Sequence, residues 1–118
     1  MAVSVTYYAR GVGGITINGS TTAPTTTQGS FLQKVSAKIV FGVTADAQAL
    51  FTHNMGLDAS APGYQEPEIF WDVQSVTTYL PLITFDRANT NVLNVNKPAT
   101  DAPTTITVTI RRPHSIGQ

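Results

Sequence analysis

Cysteine is absent from this 118-residue chain, which excludes disulfides, thiolate metal sites and cysteine nucleophiles. Charge is scarce: Asp, Glu, Lys and Arg together make 12% of the residues, about half the usual share, and seven acidic residues cancel seven basic ones. The basic residues, Arg10, Lys34, Lys38, Arg87, Lys97, Arg111 and Arg112, are scattered along the chain. Without a run or stripe able to neutralise many phosphates, no nucleic-acid partner is expected. A net charge near zero gives copies little mutual repulsion and favours association. Long apolar runs are missing too. No segment approaches the about 18 apolar residues of a membrane span, and MAVSVTYYAR lacks the basic and then apolar regions of a signal peptide. A protein made in a cytoplasm, with no membrane partner, is the expectation.

What the chain does have is threonine, eighteen times, and alternation. In TTITVTIRR, 104 to 112, Ile106, Val108 and Ile110 alternate with Thr105, Thr107, Thr109 and Arg111. Strict period two predicts a strand with one buried and one wet face. VSVTYYA (3 to 9), GITIN (14 to 18), KVSAKIVFGV (34 to 43), EIFWDVQSV (68 to 76), LPLITF (80 to 85) and NVLNVN (91 to 96) read similarly. Turn-forming clusters separate them: GVGG, NGS, APTTTQGS, SAPG, DRANTN and NKPATDAP. Seven to eight short strands at this spacing predict an all-β fold, an antiparallel β-sandwich or jelly roll, with a small barrel also open. The length suits one domain, 1–118, with an N-terminal strand or arm at 1–10 available for edge pairing and an exposed loop at 20–30. TADAQALFTH, 44 to 53, with Asp46 as a possible cap, is the one helix candidate.

Sites for catalysis or metal find little support. His53 and His114 are far apart in the chain and lack the clustered ligands zinc requires. No G-x-S-x-G is present to set up a nucleophile. Glu66 and Glu68 flank Pro67 and read as solvated acids at a strand entrance rather than a glycosidase pair. GVGG precedes a strand-like ITIN, so it lacks the helix N-terminus of a phosphate loop. No enzyme activity, cofactor or metal is expected. In FTHNMGL, 51 to 57, Asn54 and Gly56 suit left-handed or turn conformations, and His53 fits a turn-stabilising or partly buried polar role. Tyr7 with Tyr8, and Phe70 with Trp71, are adjacent aromatics. Neighbours on a strand face opposite sides, so one of each pair either leaves the core as an interface anchor or is covered within the domain. Interface candidates are Tyr7, Tyr8, Met55, Leu57, Tyr64, Trp71, Arg111 and Arg112, and the aromatics among them also suit stacking on sugar rings.

Thr52-His53-Asn54-Met55-Gly56 resembles the T-H-N-(L/M/W)-G turn of small β-modules in tailed-bacteriophage virion proteins, where it leads into P-x-(I/V)-x-(V/W) strands. PEIFWDV, 67 to 73, follows here, and TITVTIRR closes the resemblance, which covers roughly residues 48 to 112. The chain departs from that pattern by the insertion LDASAPGYQE, 57 to 66. The resemblance implies a structural virion protein made in the host cytoplasm. A short, weakly charged, Thr-rich chain without shaft repeats then fits a capsid decoration (cement) protein on the capsid surface. Its partners would be the major capsid protein or other virion proteins, and a homodimer or homotrimer would cover exposed sheet edges. A tail fibre-tip or carbohydrate-binding recognition module is the alternative.

Overall fold

A computed structural model describes residues 3–11, 16–43, 45–57, 60, 67–75, 83–98 and 103–112. Among them are eight strands and one short helix, in the order β1 (Val3–Gly11), β2 (Thr16–Ser20), α1 (Thr26–Ser30), β3 (Leu32–Phe41), β4 (Gln48–Thr52), β5 (Glu68–Ser75), β6 (Thr84–Asn89), β7 (Val92–Asn96) and β8 (Thr104–Arg111). A five-stranded sheet, order β2-β1-β3-β8-β5, and a three-stranded sheet, order β4-β7-β6, form an all-β sandwich in which every strand pair is antiparallel.

Alternation decides which face meets the core. Val35, Ala37, Ile39 and Phe41 of β3 and Ile106, Val108 and Ile110 of β8 are buried, and the register sets Val35 opposite Ile110, Ala37 opposite Val108 and Ile39 opposite Ile106. Ala49 and Phe51 of β4 and Leu93 and Val95 of β7 face them from the small sheet. Each fully buried Ile, Leu, Val or Phe contributes roughly 1.5–3 kcal/mol. A one-residue slip of β3 would turn Lys34, Ser36 and Lys38 inward, so burial fixes the register.

Two expectations need correcting, and the one helix candidate resolves as a strand. Strand β1 is no free arm, because it pairs with β2 on one side and β3 on the other; the open edges of the described sheets are β2, β5, β4 and β6. The helix candidate at 44 to 53 instead holds β4, preceded by a turn in which the Gly42 and Val43 amides both donate to Asp46 Oδ2 at 3.1 Å. The loop at 20–30 is only partly exposed. Pro24 and Gly29 are buried, and Thr25 caps α1 through a reciprocal box: Gln28 N donates to Thr25 Oγ1 at 3.1 Å and Thr25 N to Gln28 Oε1 at 3.0 Å.

Candidate functional site

The histidine turn is a structural knot. His53 is only 2% exposed and its Nδ1 accepts from Met55 N at 3.0 Å, so the neutral ring carries its proton on Nε2. Burial first, then the positive fields of Arg87 and Arg112, push the imidazole down to about 4. Asn54 takes φ +55° and Gly56 φ +65°. The loop is bolted on three sides. Asn54 Nδ2 donates to Pro24 O at 2.5 Å; Gly56 N donates to Asn91 Oδ1 at 2.9 Å and Leu57 N to Thr90 O at 2.8 Å; and Arg87 donates to Leu57 O. Arg112 closes the knot through Nη2 to Met55 O at 2.7 Å and Gly29 O at 3.0 Å, with Nε to Leu32 O at 2.8 Å.

This geometry removes four residues from the expected interface. Met55 and Leu57 are buried because the bolted turn folds both against the core. Tyr7 is 4% exposed, lies 5.9 Å from the Phe51 ring, and its hydroxyl accepts from Thr52 N at 3.1 Å, tying the two sheets together. Arg112 spends its guanidinium on three backbone carbonyls instead of on a partner. Tyr64 and His114 lie outside the described residues. Among the described residues no cluster of three His, Cys, Asp or Glu is placed to hold a metal ion, and no helix is long and apolar enough to cross a membrane.

Strand β5 is different. Phe70 is 49% and Trp71 53% exposed, although the two point to opposite faces of their strand. Trp71 is on the core side with Ile69 and Val73, but β5 ends its sheet, and the Phe85 ring of β6 lies 5.0 Å from it between ring centroids. Phe70 stands on the outer face, where the Arg111 guanidinium lies 5.2 Å over its ring. Glu68 takes Arg111 in an exposed ion pair at 2.6 Å, worth about 1 kcal/mol at most. Among the described residues this edge has no strand partner, and an edge flanked on both faces by half-exposed aromatics is suited to adding a strand from another chain.

The outer face of the five-stranded sheet gathers what the sequence scatters. Arg10 on β1 stands opposite Lys34 on β3, Lys34 opposite Arg111 on β8, and Arg111 opposite Glu68 on β5. In the adjacent row Asn18, Tyr8, Ser36, Thr109 and Phe70 line up across all five strands. Tyr8 is 39% exposed, and Ser36 and Thr109 share a hydroxyl hydrogen bond of 2.8 Å. Linear spacing gives no sign of these rows, since only strand order and register create them. Compared with protein-family models, curated proteins and solved structures, the chain matches none.

Proposed function

We propose that this chain is a non-enzymatic structural protein of a tailed-bacteriophage virion, a capsid decoration protein that binds and stabilises the assembled head. The observation that carries the binding role is the β5 edge, which is open among the described residues, with Phe70 and Trp71 half-exposed on its two faces. The virion setting rests on the resemblance of Thr52 to Gly56 and of the strands that follow. A ligand that binds the assembled shell and not its separated subunits stabilises the shell by mass action. Edge pairing supplies backbone hydrogen bonds with little demand on the partner's sequence, the aromatics supply buried area, and repetition over a symmetric lattice turns modest contacts into avidity. The partners in this reading are the major capsid protein or a neighbouring virion protein, together with further copies of this chain.

A tail-tip recognition role is the second reading, favoured by exposed Tyr8 and Phe70 in one row of the outer face. Gold-labelled antibody on intact particles, with densitometry of the same particles on a gel, separates the two. Dense label over heads and a strong low-mass band support decoration. Label confined to tail ends transfers the protein to recognition, and particles without label remove both readings.

A further inference from the structure

The row of cations on the outer face has no evident structural role. Arg10, Lys34 and Arg111 occupy directly opposed positions on three adjacent strands, and like charges so placed are destabilising. Only Arg111 is compensated, by Glu68. Arg10 and Lys34 form no ion pair among the described residues, and Lys38 adds a further positive charge on the same face of β3. Beside this row lies the polar and aromatic one. Over the β1 and β2 end the two rows bound a concavity of about 520 Å³, lined by Tyr8, Arg10, Thr16, Asn18, Lys34 and Ser36 among others. That volume falls within the roughly 300–1,000 Å³ of small-ligand clefts, but the site is an open strip across a sheet, suited to a chain that passes over it.

We propose that this face binds an acidic polysaccharide, with one sugar ring stacked on Tyr8, its carboxylate or sulfate held between Arg10 and Lys34, and its hydroxyls met by Asn18 and Ser36. Aromatic faces attract the weakly positive C–H face of a sugar as they attract other cationic edges. The hydroxyl and amide floor matches sugar hydroxyls as donors and acceptors at once. Tyr8 and Phe70 are three strand spacings apart, about 14 Å, which leaves room for more than one ring. A nucleic acid fits less well, because it carries a phosphate at every nucleotide and two uncompensated cations release few counterions. Glu68 and Asp72 on β5 repel any polyanion at that end of the sheet, so the bound anion is confined to the end over Arg10 and Lys34. The Tyr8, Arg10 and Lys34 site lies toward the β1 end of the sheet, away from the β5 edge, and does not depend on the protein's place in a particle.

The full chain is run by affinity electrophoresis in gels containing polygalacturonate, dextran sulfate, neutral dextran or oligo(dT). Retardation by polygalacturonate or dextran sulfate, with none by neutral dextran, supports the site, and the stronger of the two identifies the carboxylate or the sulfate as the anion. Lys34→Gln and Arg10→Gln each weaken binding about tenfold, the loss expected for one charge-assisted hydrogen bond, while thermal unfolding stays the same or rises because a like-charge contact is relieved. Tyr8→Thr, which keeps a strand-forming residue, weakens it by a similar factor. The proposal is overturned by equal retardation in neutral dextran, by oligo(dT) binding as tight as polysaccharide binding and indifferent to Tyr8→Thr, or by no retardation in any gel.

Discussion

At the scale of single residues, the histidine turn is a place where one atom controls many. Protonating His53 removes the acceptor that holds Met55 N and places a charge between Arg87 and Arg112. Its folded value of about 4 lies below the ordinary 6.5, so between these values the unfolded chain binds more protons and stability rises with pH. The contribution is complete above about pH 6.5, declines as pH falls, and is lost below about pH 4, with a span on the order of 3 kcal/mol. Urea unfolding at stepped pH should show this slope. His53→Asn, whose Oδ1 can accept from the same amide, should flatten it relative to the parent; an unchanged slope would place the titration elsewhere. Glycine gives a second contrast. A Cβ on Gly29 would sit 1.7 Å from Asn54 O, whereas on Gly56, at φ +65°, it would meet nothing within 4 Å. Gly56→Ala should cost about 1–2 kcal/mol from backbone strain alone. Gly29→Ala must push the knot apart and should cost more, at or above the about 1–3 kcal/mol of an overpacked core. Thermal melts of the two variants that came out equal would mean that α1 and the turn are not in the contact described.

At the scale of elements, α1 shows how a short piece of structure is specified by its ends. Its interior, Thr26 to Ser30, has little helix propensity, so the capping box holds it, and α1 in turn holds Gly29 beneath Asn54. Thr25→Ala should cost about 1 kcal/mol, measured by chemical denaturation, and restoring the cap with Thr25→Ser should recover most of it. Failure of that recovery would assign the loss to something other than the cap. The signal for this helix was present in the sequence as Thr25-x-x-Gln28, but the apolar periodicity that usually announces a helix was absent. Strands β3 and β8 were legible because their β-branched residues alternate without a break. Strand β4 was not: Leu50 faces outward between buried Ala49 and Phe51, so three successive apolar residues mask the period of two. The adjacency rule for aromatics separated buried Tyr7 from exposed Tyr8. At β5 it left both Phe70 and Trp71 half-exposed, because a strand at the end of its sheet has too little opposing sheet to cover its inner face. The outer rows and the bolts from Arg112 depend on which strands become neighbours, and strand order leaves no trace in local pattern.

At the scale of the whole molecule, the neutral charge and the half-apolar β5 edge make a specific mode of self-association testable. Antiparallel pairing of β5 with β5 of a second copy, about a twofold axis perpendicular to the sheet, keeps both core faces on one side only when opposed positions share the same parity. Centring the axis on Trp71 sets Ile69 opposite the second copy's Val73, Phe70 opposite its Asp72 and Glu68 opposite its Gln74. Centring it on Phe70 would oppose Glu68 to Asp72, and centring it on Asp72 would oppose that residue to itself, both like-charge contacts. Charge therefore favours the Trp71 register. The resulting continuous sheet carries both outer faces on the same side. Because the dimer binds the folded state alone, the melting temperature should rise with protein concentration, and sedimentation velocity over the same range should show monomer passing to dimer. Trp71→Lys puts an inward-pointing charge on the edge, a device natural sheets use against edge pairing, and its long stem can still cover part of Phe85. It should cost about 1 kcal/mol for the lost aromatic pair, sediment as a monomer at every concentration and melt at a concentration-independent temperature. A parent protein that already behaves this way would show that the β5 edge is not where copies of this chain meet.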